Sequence, residues 1–507
     1  MGQARTSPAG DEGLLRLLRE VESKNWDAAV PGLRVAADTV TGSWISEVHA
    51  GLARAALADA DPAAAWHELE LGRLRYLASR GGSSARAATA NAPMNASFDP
   101  GTDAHPPIPL ESLRILLSGA NATLIAFGDS RILAPLCMVI HADGEHAFAI
   151  ESDRVRNAWV RGPGVGVPDE EVPALLEDLL GVSWSRIPPT TQRVFIQPPV
   201  ALWNLPFAEA AVPRIGTEAG PTLGDRYPVS LLPWSTVLSW ASAPRTRSGD
   251  GLAILGGEDD EALHQILGGQ PRNTPIAATV ENLKATAPDA DVIYLRGRTP
   301  RAFLMASHAA SRTASPTASP TASPAATPTA STTSPTASPT ASIPERTDAG
   351  TTLLHLDDAD LTPGDIASIS FLADLVLLES GRFTGSVGDL AAAFIAGGAR
   401  CVLALDPSLA DSTAEAVEHE LYMRLRTGTP RDRAVHAIYR SFEEEGHPLP
   451  AAALQVWGPG HLPVYSLTAK RGIGALLLSW VIFLGTGFFL LRFFVRRFLL
   501  HDPADRA

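Results

Sequence analysis

The first part of the chain has the hydrophobic spacing of amphipathic helices. From residue 14 to residue 80, apolar side chains recur at intervals of three and four. Turn-forming sequences interrupt this spacing at residues 25–27 and 59–62. The pattern predicts an α-helical arm over residues 1–80, built from short paired helices that resemble one or two tetratricopeptide hairpins.

From residue 110 onward the pattern changes to short, continuous apolar runs. These runs predict strands at 122–127, 136–141, 146–150, 193–197, 251–255, 291–295, 374–378 and 401–405. Helical spacing separates several of them, at 170–180, 280–287, 387–396 and 413–425. Fully apolar strands that alternate with helices are typical of a parallel sheet buried on both faces. We therefore expect an α/β fold with a mostly parallel sheet flanked by helices.

Two segments lack any such period. Residues 81–109 are rich in Gly, Ser, Ala, Asn and Pro, which predicts a linker. Residues 309–342 repeat Pro-Thr-Ala-Ser and contain no aliphatic side chain larger than alanine. Such a segment buries too little apolar surface to offset its ordering entropy, so we expect a disordered insert within the sheet domain. A tolerated surface insertion is the preferred interpretation, and a glycosylated stalk is the alternative.

The C-terminal end carries an uninterrupted apolar segment. Residues 472–491 contain no charged side chain. At about 1.5 Å rise per residue they would span the hydrocarbon core of a bilayer as one transmembrane helix. A short basic tail, 492–507, follows it. The start of the chain has no apolar signal segment, so we expect a single-pass membrane protein with most of its chain in the cytoplasm.

Composition narrows the function classes further. The chain has 507 residues and a formal charge of −14, without the basic stripe that phosphate binding requires, so we do not expect nucleic acid to be a partner. Its two cysteines, Cys137 and Cys401, lie in apolar runs and are interpreted as small core residues. Nothing in the sequence calls for a metal or a cofactor.

Motifs spread over much of the chain resemble the CHAT family of caspase-like proteins. They comprise Arg193 to Pro198 with the following Leu205-Pro-Phe, Tyr227 to Ser235, Leu353 to Thr362, and a run from Ala373 to Ala434. The resemblance covers residues 110–466 and implies a caspase-like α/β domain. In this family such a domain is a cysteine endopeptidase with a histidine base, often preceded by tetratricopeptide repeats.

The catalytic positions implied by the resemblance are occupied by other residues. The family's histidine strand aligns with residues 290–299, which places Tyr294 and Arg298 at the two histidine positions. The family's cysteine aligns with Arg382. A guanidinium group stays protonated and only donates hydrogen bonds, so it replaces neither a thiolate nor an imidazole base. We therefore predict no catalytic residue.

Three other side chains are candidate substitutes for the missing thiol and imidazole. Cys401 begins the strand after the nucleophile strand, which places it at the opposite end of the sheet. His308 borders the predicted disordered insert. Ser380 has no histidine placed to activate it. Each is a poor candidate on the geometry that a nucleophile and its base require.

Charged residues cluster where the predicted parallel strands end. They are Glu258, Asp259, Asp260, Arg296, Arg298, Arg301, Glu379 and Arg382. In the preferred interpretation these groups form a solvated network of ion pairs. In the alternative, Arg296, Arg298 and Arg382 are ligand-binding residues for a carboxylate, an acidic peptide or a phosphate.

These observations favour a membrane-anchored module without peptidase activity that acts as a scaffold or regulator and whose partners are other proteins. One alternative is an active cysteine endopeptidase of the CHAT family. The other is a binding module for an acidic peptide or a different anionic ligand.

Overall fold

The computed structural model describes most of the arm and of the sheet domain. The described residues are 11–80, 107–161, 167–168, 170–210, 222–242, 252–256, 276–296, 352–379, 382–405, 409, 411–450 and 453–464, with 480, 483, 486, 488–490 and 492. The predicted insert at 309–342 and nearly all of the predicted linker lie outside them.

Four helices form the N-terminal arm. They are Asp11–Glu22 (α1), Trp26–Ala37 (α2), Trp44–Ala58 (α3) and Pro62–Arg80 (α4). Each helix packs against the next along the chain. The buried side chains of Leu14, Leu18 and Leu33 belong to the same apolar core as residues of the sheet. The arm is therefore part of the folded body.

The remaining described helices are distributed along the sheet domain. They are Leu110–Ala120 (α5), Asp153–Arg161 (α6), Val172–Trp184 (α7), Leu223–Arg226 (α8), Val237–Ser242 (α9), Val280–Thr286 (α10), Pro363–Ala367 (α11), Val387–Ala396 (α12), Asp411–Arg426 (α13) and Arg431–Glu444 (α14). The described strands are Ala122–Phe127 (β1), Leu136–His141 (β2), Gly144–Ala149 (β3), Arg193–Gln197 (β4), Val229–Leu231 (β5), Leu252–Leu255 (β6), Val292–Leu295 (β7), Leu353–His355 (β8), Asp360–Leu361 (β9), Leu375–Leu378 (β10), Phe383–Thr384 (β11), Val402–Leu405 (β12) and Leu454–Trp457 (β13).

Ten of the described strands form one mostly parallel sheet, in the order β3-β2-β1-β4-β5-β13-β12-β10-β7-β6. The group β1, β4, β5 and β13 is parallel within itself, and so is the group β12, β10, β7 and β6. The two groups meet at the antiparallel pair β12–β13. The carboxyl ends of the two groups therefore lie at opposite edges of the sheet. Strands β11, β8 and β9 form a small separate sheet.

Helices cover both faces of the second group of strands. Successive strand residues point to opposite faces, so Ile293 joins the core under α10 and α12, whereas Val292 joins the core under α13 and α14. Because both faces are buried, these strands consist almost entirely of apolar residues, and this is why their positions could be predicted.

The arm docks on the sheet through buried charges on α4. Arg73 donates from Nη2 to the Phe127 carbonyl at 2.8 Å and from Nη1 to the Pro198 carbonyl at 2.6 Å. Glu70 is fully buried and accepts from the Ser235 N–H at 2.7 Å. These partners lie at the ends of β1, β4 and β5, or just after them. The carboxyl edge of the first group of strands is thus occupied by the chain's own arm.

The sequence predictions agree with most of these elements. The expected strands coincide with β1, β2, β4, β6, β7, β10 and β12 to within one residue, and β3 begins two residues earlier than expected. The α/β class and the mostly parallel sheet are confirmed. The hydrophobic pattern did not predict helices α5, α6, α8, α9, α11 and α14 or strands β5, β8, β9, β11 and β13. The missed strands have only two to four residues, too few to establish a period.

The predicted membrane segment, 472–491, lies mostly outside the described residues. In the part of the chain that the structure describes, no helix has the length and apolar character needed to cross a bilayer.

Candidate functional site

The candidate site lies at the carboxyl edge of the second group of strands. In a parallel sheet the crevice forms beyond the strand carboxyl ends. Here β6 is followed by Gly256, β7 by Arg296 and β10 by Glu379. The chain then reaches Arg382, which is the position of the family's nucleophile in the sequence resemblance. Arg296 and Arg382, two of the three predicted ligand-binding residues, are brought together.

The Arg382 side chain is bound to neighbouring loops of the chain. Its Nε donates to the Arg296 main-chain carbonyl at 2.7 Å. Its Nη1 donates to Asp357 Oδ1 at 2.7 Å and lies 3.5 Å from the His355 carbonyl. Only 11% of the Arg382 side chain is exposed. We call the group Gly256, Arg296, Asp357 and Arg382 the Arg382 clasp.

Two other members of the clasp hold the guanidinium in place. Asp357 Oδ2 accepts from the Ala278 N–H at 2.9 Å, so both carboxylate oxygens have partners. Gly256 has a φ of +85°, and a Cβ at this position would lie 2.2 Å from Arg382 Nη2 and 2.5 Å from the Arg296 carbonyl oxygen. A side chain at position 256 is excluded on both grounds, backbone conformation and space. The clasp is a packed contact between loops.

The residue that the sequence resemblance aligns with the family's first histidine, Tyr294, points away from this edge. Tyr294 lies in β7, is fully buried, and donates from its hydroxyl to Glu418 Oε1 at 2.7 Å. Its ring packs edge-to-face against Tyr422. Burial, the neighbouring Tyr422 and Glu418 all raise the pKa of Tyr294 well above its ordinary value. Tyr294 is therefore a core residue of the α13–α14 face.

Neither cysteine is placed for catalysis. Cys401 immediately precedes β12 and so lies at the opposite edge from Arg382, as predicted. Cys137 lies within β2. Both thiols are free and buried, and burial raises the pKa of each to about 12. A thiol with such a pKa is protonated at neutral pH and is a poor nucleophile.

Several predicted site residues lie outside the described residues. They are Arg298, Arg301, His308, Ser380, Glu258, Asp259 and Asp260. Arg382 makes an ion pair, but its side chain is mostly buried, whereas the preferred interpretation expects a solvated network. Its partner is different, because Asp357 was not among the predicted acids.

One acid, imidazole and hydroxyl contact lies next to the clasp. His355 Nδ1 is 2.7 Å from Asp360 Oδ1, and His355 Nε2 is 3.2 Å from Thr384 Oγ1. The three residues lie on adjacent strands of the small sheet. His355 is 31% exposed and Asp360 is 54% exposed. The order of groups is that of a hydrolytic triad, although cross-strand polar pairs on an exposed ribbon have the same appearance.

Sequence reasoning missed His355 and Asp357 as site residues. Both belong to the segment from Leu353 to Thr362, which was singled out only for its resemblance to the family. A charged residue just after a short apolar strand was the available signal, because such positions lie at a sheet edge. Nothing in the sequence pairs that strand with β11.

A separate cavity of about 40 Å³ lies between α8 and α14. Its lining is mostly apolar and shares no residue with the clasp. The imidazole of His436 borders it, with Nδ1 2.6 Å from the Gly224 carbonyl. Burial lowers the pKa of His436, which favours the neutral ring. The described lining contains no serine, threonine or cysteine, so this cavity offers no hydroxyl nucleophile of the serine type and no thiol. The described residues also contain no group of three or more His, Cys, Asp or Glu side chains placed to bind a metal.

Comparisons with known proteins add little to this picture. No family model matches the chain, and no curated protein matches it. Among solved structures, a chain of the separase–securin complex of Saccharomyces cerevisiae is similar to it with a TM-score of 0.44 and 9% sequence identity. The alignment covers 88% of this chain and 40% of that one. A score and an identity of this size are too low to assign a fold family or a function.

Proposed function

We propose that this chain is a caspase-like module of the CHAT type that has no peptidase activity and serves as a scaffold or regulator. The observation that carries the proposal is the Arg382 clasp. Where the family resemblance places a nucleophilic thiol, a guanidinium is hydrogen-bonded to Arg296 and Asp357. A protonated guanidinium has no available lone pair for nucleophilic attack and cannot act as a base.

Attachment to a membrane through residues 472–491 is part of the proposal. The support is the uncharged, apolar sequence of this segment. Its described residues Trp480, Phe483 and Phe488 are helical, with exposed fractions of 55%, 71% and 67%. Large apolar side chains with this exposure favour contact with lipid or with a partner protein. In this proposal the bulk of the chain lies in the cytoplasm.

Other proteins are the proposed partners. The chain's negative charge disfavours nucleic acid. Because Glu70 and Arg73 are used to dock the arm on the sheet, a partner would bind the exposed surface of the arm and not its charged inner face. Capture of partners from membranes tests this part. The full chain is compared with a variant that ends before Gly472, which should lose partners that depend on the membrane.

Absence of peptidase activity is tested on the purified full chain. The chain is incubated with a broad peptide library and with electrophilic probes that label reactive thiols and hydroxyls, beside an active cysteine peptidase as a control. We expect no cleavage above background and no labelling of Cys137 or Cys401. Turnover that one substitution in the chain abolishes would overturn the proposal.

A hydroxyl-dependent hydrolase is the second candidate function, and the contacts of His355 with Asp360 and Thr384 favour it. In that mechanism Thr384 Oγ1 would attack the carbonyl carbon of the substrate, and His355 Nε2 would take the hydroxyl proton of Thr384. Asp360 would orient the imidazole ring. Thr384→Val and His355→Gln should then abolish any turnover that is found. If neither substitution changes it, the contacts are structural.

A further inference from the structure

The cavity between α8 and α14 lies beside a split in the ten-stranded sheet. Over their described lengths β5 and β13 pair at a single register position, Leu231 with Trp457. At the start of β13 the main chain of Leu454 binds a side chain instead of a strand. Its N–H donates to Tyr439 Oη at 2.8 Å, and that hydroxyl donates to the Leu454 carbonyl at 3.3 Å. A tyrosine of α14 thus takes hydrogen bonds that a neighbouring strand would make, and side chains of both strands line the cavity.

The cavity has a buried apolar floor and a half-buried rim. Phe207, Leu231 and Val456 line it and are at most 5% exposed. Ala208 and His436 also line it and are half-buried. The cavity therefore reaches the surface at its rim, so a ligand can enter without unfolding of the sheet.

The charges of the lining are already satisfied within the described chain. Asp432 is the one residue with a formal charge in the described lining. Its Oδ1 accepts from the Arg433 N–H at 2.7 Å, and its Oδ2 accepts from Arg193 Nη1 at 2.5 Å. Both oxygens have partners, so this carboxylate is not left over to bind a cation. A charged ligand would lose its hydration here without gaining a counter-charge.

The imidazole of His436 supplies a hydrogen-bond acceptor at the rim. The Gly224 carbonyl, 2.6 Å from Nδ1, can only accept, so Nδ1 carries the ring proton. Burial lowers the pKa of His436 and keeps the ring neutral. Nε2 therefore has a lone pair, and no described residue donates a hydrogen bond to it. A ligand that donates one hydrogen bond matches this group.

We propose that this cavity binds a small uncharged molecule with an apolar body and one hydroxyl group, of the size of a three-carbon alcohol. The floor receives the hydrocarbon part, and the hydroxyl donates to His436 Nε2. A volume of about 40 Å³ is room for about three water molecules, so a molecule of about four non-hydrogen atoms fills it up to the rim. Pockets for cofactors and drug-sized ligands are about ten times larger. Water alone is a poor occupant of an apolar floor, because a buried water molecule needs about two to four polar partners.

This site shares no residue with the Arg382 clasp, so the proposal does not depend on the absence of peptidase activity. The test uses propan-2-ol and acetone as matched probes, with saturation-transfer NMR on the purified full chain. The two molecules have the same number of non-hydrogen atoms, but only the alcohol donates a hydrogen bond. We expect both to bind, with a dissociation constant about fivefold lower for the alcohol, which is the contribution of one hydrogen bond.

Three variants locate the binding. His436→Phe keeps a flat ring and removes the acceptor, so the preference for the alcohol should disappear. Val435→Phe enlarges a buried side chain of the lining, so neither probe should bind. Val182→Phe is the matched control, because it makes the same change at a 54% exposed position outside the cavity, and it should bind both probes as the wild type does.

The proposal stays testable if Val435→Phe does not fold, because the wild type and His436→Phe decide it. Failure of both probes to receive saturation from the wild type would mean that water alone occupies the cavity. Equal dissociation constants for the two probes in the wild type would overturn the proposed hydroxyl contact. The proposal is also wrong if His436→Phe keeps the preference, or if a folded Val435→Phe binds both probes normally.

Discussion

Replacing Arg382 by alanine separates a structural guanidinium from one that is free to hold a ligand. The change removes the hydrogen bond from Nε to the Arg296 carbonyl, 2.7 Å long, and the ion pair with Asp357, also 2.7 Å. The Arg296 carbonyl, which is half-buried, then lacks this donor. If the clasp holds the loops after β6, β7 and β8 together, the folded state must lose stability.

The size of the loss follows from the exposure of the two partners. A hydrogen bond from a charged donor to a sheltered carbonyl contributes about 1.5–3 kcal/mol. The Asp357 side chain is 45% exposed, so its ion pair is weakened by solvent and counts for about 0.5 kcal/mol. We therefore expect Arg382→Ala to lower the free energy of unfolding by about 2–3 kcal/mol. Arg382→Lys keeps the charge but lacks the planar fork, and about half of that loss is expected.

The assay is urea unfolding followed by tryptophan fluorescence, with the binding of an acidic peptide measured in parallel. Arg440→Ala is the matched control. Arg440 pairs with Glu444 on an exposed helix face, and the two side chains are 59% and 71% exposed. This control should change stability by less than about 0.5 kcal/mol. If Arg382→Ala changes the free energy of unfolding as little as the control and abolishes peptide binding, the clasp does not stabilise the fold and the anionic-ligand alternative is correct.

Three further predictions concern other contacts. Gly256→Ala should lower the free energy of unfolding by at least about 2 kcal/mol in the same assay, because the new Cβ would lie 2.5 Å from the Arg296 carbonyl oxygen. Gly42 is the control: it has a φ of +62° and a Cβ there would meet nothing within 4 Å, so Gly42→Ala should lower the free energy of unfolding by only about 1 kcal/mol. Burial lowers the pKa of His461 to about 4, from about 6.5 in the unfolded chain. The unfolded state therefore binds the proton first, and the free energy of unfolding of the wild type should fall by about 2 kcal/mol between pH 7 and pH 4.5. In His461→Gln the fall should be smaller by that amount, and an equal fall in both proteins would refute the lowered pKa of His461. Glu70→Ala leaves the buried N–H groups of Ser235 and Thr236 without their acceptor, so the free energy of unfolding should fall by about 3 kcal/mol and the arm should be proteolysed faster. Glu12 is exposed, and Glu12→Ala should leave the stability unchanged.

Periodicity and composition determined the elements of this protein. Residues 122–127 and 193–197 were predicted as strands and are β1 and β4 within the same bounds, because strands buried on both faces are largely apolar along their length. The same reasoning placed Arg382 after a buried strand, at a sheet edge beside Arg296.

Only the tertiary structure decided how these parts meet. The antiparallel pair β12–β13 divides the sheet into two oppositely directed groups, and a buried arginine occupies the carboxyl edge of each, Arg73 in one and Arg382 in the other. The partner of Arg382 is 25 residues away in the loop between β8 and β9, and Arg73 contacts the Pro198 carbonyl across 125 residues. Hydrophobic spacing reports which face of an element is buried, but it contains no information about what covers that face. Hydrogen bonds between distant loops depend on strand order and direction, and these are fixed only when the whole chain packs.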